Sequence, residues 1–321
     1  MNNNPIIIVA GEPYSIFFEI FFKVKKKIRI KKPIILIGSE KLVRLQMKKL
    51  GFDFKLNLIE MNKLDFNLLK KQKINLIDVK IQSNKTFDKI SDKSKPYITE
   101  CFKIALKILK EKKCSGLING PISKKDFLKG KFLGITEYLA KKTKTKKNFA
   151  MLIYNKKMSV SPITTHLPVK NISRNISKKK IIDHVKLIIK FYKNNFKINP
   201  KIAITGLNPH CESNFKSSEE KRLIIPAIKI LNKMYSNIKG PFAADTLFMK
   251  DQIKKYDVIV GMYHDQVLTP MKSLFGFDAI NITLGLPFIR ISPDHGPNEI
   301  MQGKNLSDPL SLIQAIKFLD K

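Results

Sequence analysis

YDVIVGMYHDQVLTPMK (residues 256–272) carries a short apolar run, Val258 to Val260, through Gly261 straight into Tyr263-His264-Asp265-Gln266. A run this short, closed by a glycine and then by polar side chains, fits a buried strand. In an open α/β sheet the loops at the carboxyl ends of strands are where ligands bind. A histidine flanked by Asp and Gln at such an end is therefore a candidate functional residue.

The same pattern repeats outward from this segment. "PIIIVAG" (5–11) and "KPIILIGS" (32–39) read as strands ending at glycine, "SGLINGPISK" (115–124) as a buried strand stopping at Gly120-Pro121, and "PKIAITGLNPH" (200–210) as another. "KNFAMLIYNKKMSVSPITTH" (147–166) reads as a hairpin turning at Asn155-Lys156, because both flanks suit strands. Between the strands lie amphipathic stretches. Residues 97–113 place Ile98, Phe102, Ala105 and Leu109 on one helical face, and 178–196 turn Ile181, Val185, Ile188 and Tyr192 inward; 308–319 form the last helix. Alternation of this kind predicts α/β layers. No GxGxxG follows a strand, and neither GxxxxGK[ST] nor HExxH occurs, so a conventional Rossmann or P-loop reading has little support.

With 321 residues the chain can form two domains or one large α/β unit around a full core. Its longest apolar stretches, such as "SIFFEIFF" (15–22), are broken by charge well short of the ~20 residues a bilayer span needs, so no membrane partner is expected. The start, "MNNNPIIIVAG", lacks the basic region, long apolar segment and cleavage site of a signal peptide. Three cysteines without CxxC spacing argue against a disulfide framework, and a cytoplasmic protein is the plain expectation. The formal net charge of +35 raises a basic nucleic-acid-binding protein as an alternative class. Against it, the lysines spread over the whole chain, as in 23–32, 141–147 and 177–180, without the interleaved aromatics of a single-strand platform.

Three of the five histidines, His166, His210 and His264, end strand-like runs. Three imidazoles so placed can converge on one divalent cation, at ~2.0–2.1 Å if it is zinc, leaving a position open for water or substrate. Asp265 and Gln266 then stand where a neighbour fixes an imidazole tautomer. The separations match no compact ligand spacing, so a surface or hydrogen-bonding role for each histidine stays open. His184 flanks the apolar face of the 178–196 helix and receives no role; Cys211 reads as a small packed residue. Lys272, Asn281 and Arg290 are polar residues among apolar neighbours, and a cation pair plus an amide suits a phosphate monoester. Asp245, in "GPFAADTLF" (240–248), is a candidate proton acceptor.

Taken together, "GEP" (11–13), "NGPISK" (119–124), "GITEYLA" (134–140), "TTHLP" (164–168), "GLNPH" (206–210), "GPFAADTLF" (240–248), "YHDQVLTPMK" (263–272) and "NITLGLPFIRISPDHG" (281–296) resemble the 4-hydroxythreonine-4-phosphate dehydrogenase family of vitamin B6 biosynthesis. The resemblance implies the fold of isocitrate and isopropylmalate dehydrogenases: two α/β/α domains with a cleft between them, residues 1–125 with 271–321 on the cofactor side and 126–270 carrying the metal ligands and dimer interface. It implies a homodimer with shared active sites and a small phosphorylated substrate. It implies NAD and a divalent metal (zinc, magnesium, cobalt or manganese) as cofactors. His166, His210 and His264 match metal ligands; Thr136, Lys272, Asn281 and Arg290 match substrate-binding positions; His295, Gly296 and Asp308 lie on the loop that seats the adenosine end of NAD. Asp245 and Lys272 are the candidate catalytic residues.

The sequence departs from the family pattern at several points. Ile135 stands where a substrate-contacting histidine is usual, Tyr14, Ser15 and Phe17 are bulkier than the usual N-terminal loop, and Pro297 replaces a hydroxyl residue. Ile135 motivates an alternative within the family, oxidation of another phosphorylated hydroxy acid of the phosphothreonate or erythronate type.

Overall fold

A computed structural model describes residues 4–130, 132, 134–145, 148–211 and 217–321. In chain order the first elements are β1 (Ile6–Val9), α1 (Phe17–Lys27), β2 (Ile34–Gly38), α2 (Glu40–Lys49), β3 (Leu56–Leu58), β4 (Ile74–Asp78), α3 (Lys95–Leu109), β5 (Gly116–Asn119) and α4 (Ile135–Lys142). Then come β6 (Ala150–Tyr154), β7 (Ser159–Thr164), α5 (Lys178–Phe196), β8 (Ile202–Thr205), α6 (Ile225–Asn232), β9 (Ile238–Phe242), α7 (Ala244–Leu247) and α8 (Lys250–Ile253). The chain closes with β10 (Val258–Tyr263), α9 (His264–Phe275), β11 (Ile280–Leu284), β12 (Arg290–Pro293) and α10 (Leu310–Leu319). Two compact units result: Met1–Thr145 with Pro287–Lys321, and Lys146–Leu286.

In the first unit the strands lie in the order β3-β4-β2-β1-β5-β12, and each neighbouring pair is parallel. Parallel pairing requires crossovers, and the chain supplies them with helices. The burial of Ile6, Ile7 and Ile8, consecutive residues whose side chains alternate between faces, shows that both faces of β1 are covered. Helix α1 packs on α2 and α10, whereas α3 packs on β1, β2 and β5. The apolar run at 15–22 becomes the buried start of α1, where Phe17 stacks on Phe21 and Phe18 on Phe22. Helix α3 stops at Leu109, short of the expected 113; beyond that last apolar contact Lys112 takes a left-handed turn (φ 57) into β5.

The second unit orders its strands β11-β6-β7-β10-β8-β9. The expected hairpin forms as antiparallel β6 and β7, with Ile153 opposite Val160, and the Asn155 side chain accepts from the Lys157 N–H at 2.9 Å inside the turn. From β7 onward every pair is parallel. The carboxyl ends of β7, β10, β8 and β9 therefore share one edge. Helix α5 runs over 178–196 as expected, with Ser177 capping it through the Lys180 N–H. His184 on that helix is a core residue: its Nε2 lies 2.7 Å from Ser161 Oγ, which itself donates to the Met151 carbonyl, so the ring donates to the hydroxyl. Burial pushes the His184 pKa down to about 3 and keeps the ring neutral.

Candidate active site

Strand order decides which side chains meet at the carboxyl edge of the second unit. His166 follows β7, His264 follows β10, His210 follows β8 and Asp245 follows β9, so neighbouring strands present them in that sequence. Thr164 Oγ1 donates to the Met262 carbonyl at 2.8 Å and locks the ends of β7 and β10 together. The His166 and His264 rings consequently stand 6.0 Å apart, tilted by 39°. An ion held at ~2.0–2.1 Å by one nitrogen of each ring separates the ring centres by about 5–6 Å, so this spacing fits two imidazoles on one metal. His264 Nδ1 lies 2.6 Å from Asp265 Oδ1. The ring donates there, which leaves Nε2 with its lone pair, the tautomer a metal ligand needs.

Gln266 does different work from its neighbour. Its Oε1 accepts from the Met262 N–H (2.7 Å) and Thr205 Oγ1 (2.9 Å), and its Nε2 donates to the Gly206 carbonyl (2.8 Å). It ties the start of α9 to the end of β8 and does not steady the imidazole, contrary to the expectation from sequence. The amide is drawn to the backbone groups that the two strand ends leave unpaired.

His210 sits on the turn Pro209–Cys211 with φ 55, and its Nδ1 is 3.7 Å from Asp245 Oδ2, beyond hydrogen-bonding distance. Asp245 is well exposed, and its other oxygen accepts from the Thr246 N–H at 2.9 Å. Glu220 shapes the turn. Its Oε1 accepts from the Leu207 and Asn208 N–H groups (2.8 and 2.9 Å) and its Oε2 from Asn208 Nδ2 (2.8 Å). Burial works to raise its pKa, but these bonds outweigh it and hold the carboxyl below its ordinary value. Sequence reasoning missed Glu220, since nothing local reveals that it reaches back twelve residues. Among the described residues no three His, Cys, Asp or Glu side chains stand close enough together to enclose a metal ion.

Lys272 and Asn281 belong to the same unit. Lys272 lies in the last turn of α9 with its ammonium 5.0 Å from the centre of the Phe277 ring, and Asn281 sits half-buried on β11 opposite Ile153.

The other predicted residues belong to the first unit. Arg290 opens β12 in register with Leu117 of β5, and despite its charge it is only 2% exposed. Its Nε donates to Asn119 Oδ1 at 2.7 Å. Burial lowers the guanidinium pKa to about 10, with the charge of Glu137 working against that, so the group stays cationic at neutral pH. Glu137 follows Thr136 in the first turn of α4, and its Oε2 is buried without a hydrogen-bond partner. Asn119 and Glu137 were present in the motifs but carried no signal of their role.

His295 Nδ1 lies 3.1 Å from the Gly296 carbonyl, and burial lowers its pKa. Gly296 is exposed; Asp308 accepts from the Leu310 N–H at 2.9 Å just ahead of α10. The stretch between them is tied to the N-terminal loop and α1. The Ile16 N–H donates to the Pro297 carbonyl (3.1 Å), Gln302 Nε2 to the Tyr14 carbonyl (2.7 Å), and the Ser307 N–H to Glu19 Oε1 (2.6 Å). The bulky Tyr14, Ser15 and Phe17 are buried in this arrangement.

The sequence model of the family described as pyridoxal phosphate biosynthetic protein PdxA matches residues 29–319. A 4-hydroxythreonine-4-phosphate dehydrogenase from Sulfurihydrogenibium sp. (strain YO3AOP1) is 39% identical, the alignment covering 97% of this chain and 96% of the relative. A protein from Oceanobacillus iheyensis, which carries the provisional name D-threonate 4-phosphate dehydrogenase, is 33% identical over 98% of this chain and 97% of its own. The crystal structure of 4-hydroxythreonine-4-phosphate dehydrogenase from Klebsiella pneumoniae superposes with a TM-score of 0.85 at 26% identity, covering 99% of this chain and 97% of that one. Isocitrate dehydrogenase from Methylococcus capsulatus shares the fold at a TM-score of 0.50 and 9% identity, over 97% of this chain and 83% of its own. The α/β class expected from the sequence, of the isocitrate dehydrogenase type, is borne out.

Proposed function

The chain belongs to the family of the pyridoxal phosphate biosynthetic protein PdxA, and from that premise we propose that it oxidises 4-phosphohydroxy-L-threonine in vitamin B6 biosynthesis, using NAD and a divalent metal. The 3-oxo acid formed loses carbon dioxide and leaves 3-amino-2-oxopropyl phosphate. Near-full-length likeness to the Sulfurihydrogenibium dehydrogenase is the observation that carries this reading. The adjacent His166 and His264 rings, with the Nδ1 proton of His264 directed to Asp265, are consistent with it.

His166, His210 and His264 would hold the ion, which is zinc, magnesium, cobalt or manganese; His295, Gly296 and Asp308 would seat the adenosine end of NAD. When bound, the ion supplies Lewis acidity at the C3 hydroxyl and NAD supplies the hydride acceptor. Asp265 holds the His264 tautomer. Asp245 takes the hydroxyl proton. Lys272 and Arg290 bind the phosphate, and with Thr136 and Asn281 they turn remote binding energy into orientation of the reacting carbon. A homodimer with shared active sites, in the cytoplasm, completes the proposal.

A second reading keeps the chemistry and changes the acid. Ile135, the first residue of α4, favours it, as does the name of the Oceanobacillus relative. Assaying NAD reduction with 4-phosphohydroxythreonine and with threonate and erythronate 4-phosphates separates the two. Turnover of the first supports the main reading, turnover of the others alone supports the second, and no turnover of any with metal present overturns both.

A further inference from the structure

Glu12 is a buried acid that the proposed reaction does not use. Gly11 (φ 78) turns the chain after β1, at a point where a Cβ would stand 2.5 Å from the Pro121 carbonyl oxygen. The same turn brings the Glu12 N–H to that carbonyl at 2.9 Å and leaves the residue only 2% exposed. Both carboxyl oxygens are fully buried, and neither has a hydrogen-bond partner. The Ser94 side chain and the Ser123 backbone lie near enough to favour the anion, second only to burial in their effect, without meeting hydrogen-bond geometry. Asp126, on the turn Lys124–Leu128, and Glu299, on the turn Glu299–Met301, add negative charge from two further elements. Burial, opposed by Ser94 and Ser123 and helped in smaller measure by Asp126 and then Glu299, moves the pKa of Glu12 up to about 7.

The two neighbouring acids have partners of their own. Ser123 Oγ lies 2.5 Å from Asp126 Oδ2, and Glu299 accepts from the Ile90 N–H at 3.1 Å. Of these three acids Glu12 is the one whose oxygens reach no partner at hydrogen-bond geometry, and an anion there is costly. Glu299 rides on the stretch that is bound to the Glu12 loop through Ile16 to Pro297 and Gln302 to Tyr14. A charge on Glu12 thus acts on a segment fastened to its own loop.

We propose that Glu12 works as a neutral acid and is a positioning residue for residues 294–303: its ionisation repels Glu299, loosens that segment, and weakens NAD binding as pH rises. The NAD part rests on the reading of that segment given above.

The test is calorimetric titration of the full chain with NAD at pH 6.0 and 8.5, for wild type, Glu12→Gln and Glu299→Gln. If only the neutral form is competent, wild-type affinity drops by about 30-fold between the two values. Glu12→Gln binds equally at both, and Glu299→Gln, which removes the repelled charge, shows a reduced dependence even if Glu12→Gln fails to fold. A wild type without pH dependence, or a Glu12→Gln that keeps it, overturns the proposal. If wild type binds no NAD at either pH, the cofactor reading fails and trypsin cleavage at the exposed Lys304 decides about Glu12. Cleavage of wild type relative to either variant is then about equal at pH 6.0 and about fivefold faster at pH 8.5; a ratio that does not change with pH overturns the role of Glu12.

Discussion

The sheet of each unit has a carboxyl edge, and the two edges make opposite use of polar side chains. In the second unit His264, Asp265, His210 and Asp245 are 35%, 79%, 71% and 57% exposed by side chain. In the first unit Glu12 and Asn119 at that edge, and Arg290, whose side chain reaches Asn119 from the start of β12, are each 2% exposed. Exposed groups keep their hydration and are free to exchange it for a ligand, so they contribute little to the fold. Buried ones must find partners within the protein, so they become part of the fold as well as of any site. Substitutions at the two edges should therefore separate stability from ligand binding.

The largest expected effect is at the buried edge. Arg290→Ala strands Asn119 Oδ1, removes the positive charge that acts on Glu137, and should lower unfolding free energy by about 3–5 kcal/mol in urea. A loss below about 1 kcal/mol would erase the contrast. Glu220→Ala comes next, because it leaves the Leu207 and Asn208 N–H groups without their acceptor. About 1–3 kcal/mol is expected, together with a disordered His210 turn visible as faster amide exchange there.

A third prediction compares two histidines of one unit. The folded pKa of His184, about 3, lies below its ordinary 6.5, so the unfolded chain takes up the proton first. Its contribution to stability is complete above pH 6.5 and is lost as pH falls toward 3, amounting to about 2 kcal/mol by pH 5. His184→Gln should flatten that part of the stability profile; an unchanged slope would contradict the neutral buried ring. The smallest effect belongs to the half-buried ring at the strand edge, where His264→Ala should change metal-free stability by no more than about 0.5 kcal/mol.

The two edges also differ in how far the sequence reveals them. Strand-end histidines were legible because an apolar run followed by His is a local pattern, and parallel pairing does the rest. The pairing order β7-β10-β8-β9 that makes His166 a neighbour of His264 and His210 a neighbour of Asp245 was not legible, since it depends on contacts across about a hundred residues. Helices 178–196 and 308–319 were readable from their apolar period. The bonds Arg290 to Asn119 and Glu220 to Asn208 were hidden, because a buried polar residue looks like any surface one until its partner is known. Gln266 shows the opposite error: adjacency to His264 suggested a role that the nearby backbone had already claimed.

The proposed function requires the histidine edge of the second unit to bind a divalent metal. Thermal unfolding of wild type, His264→Ala, Asp265→Asn and Arg290→Lys with and without zinc, magnesium, cobalt or manganese decides whether it does. At least one ion should raise the wild-type midpoint by several degrees, as binding to the native state alone requires. The rise should vanish in His264→Ala, need about 10–100-fold more metal in Asp265→Asn, and persist in Arg290→Lys. An equal rise in His264→Ala, or none in wild type with any of the four ions, would mean that this edge holds no metal.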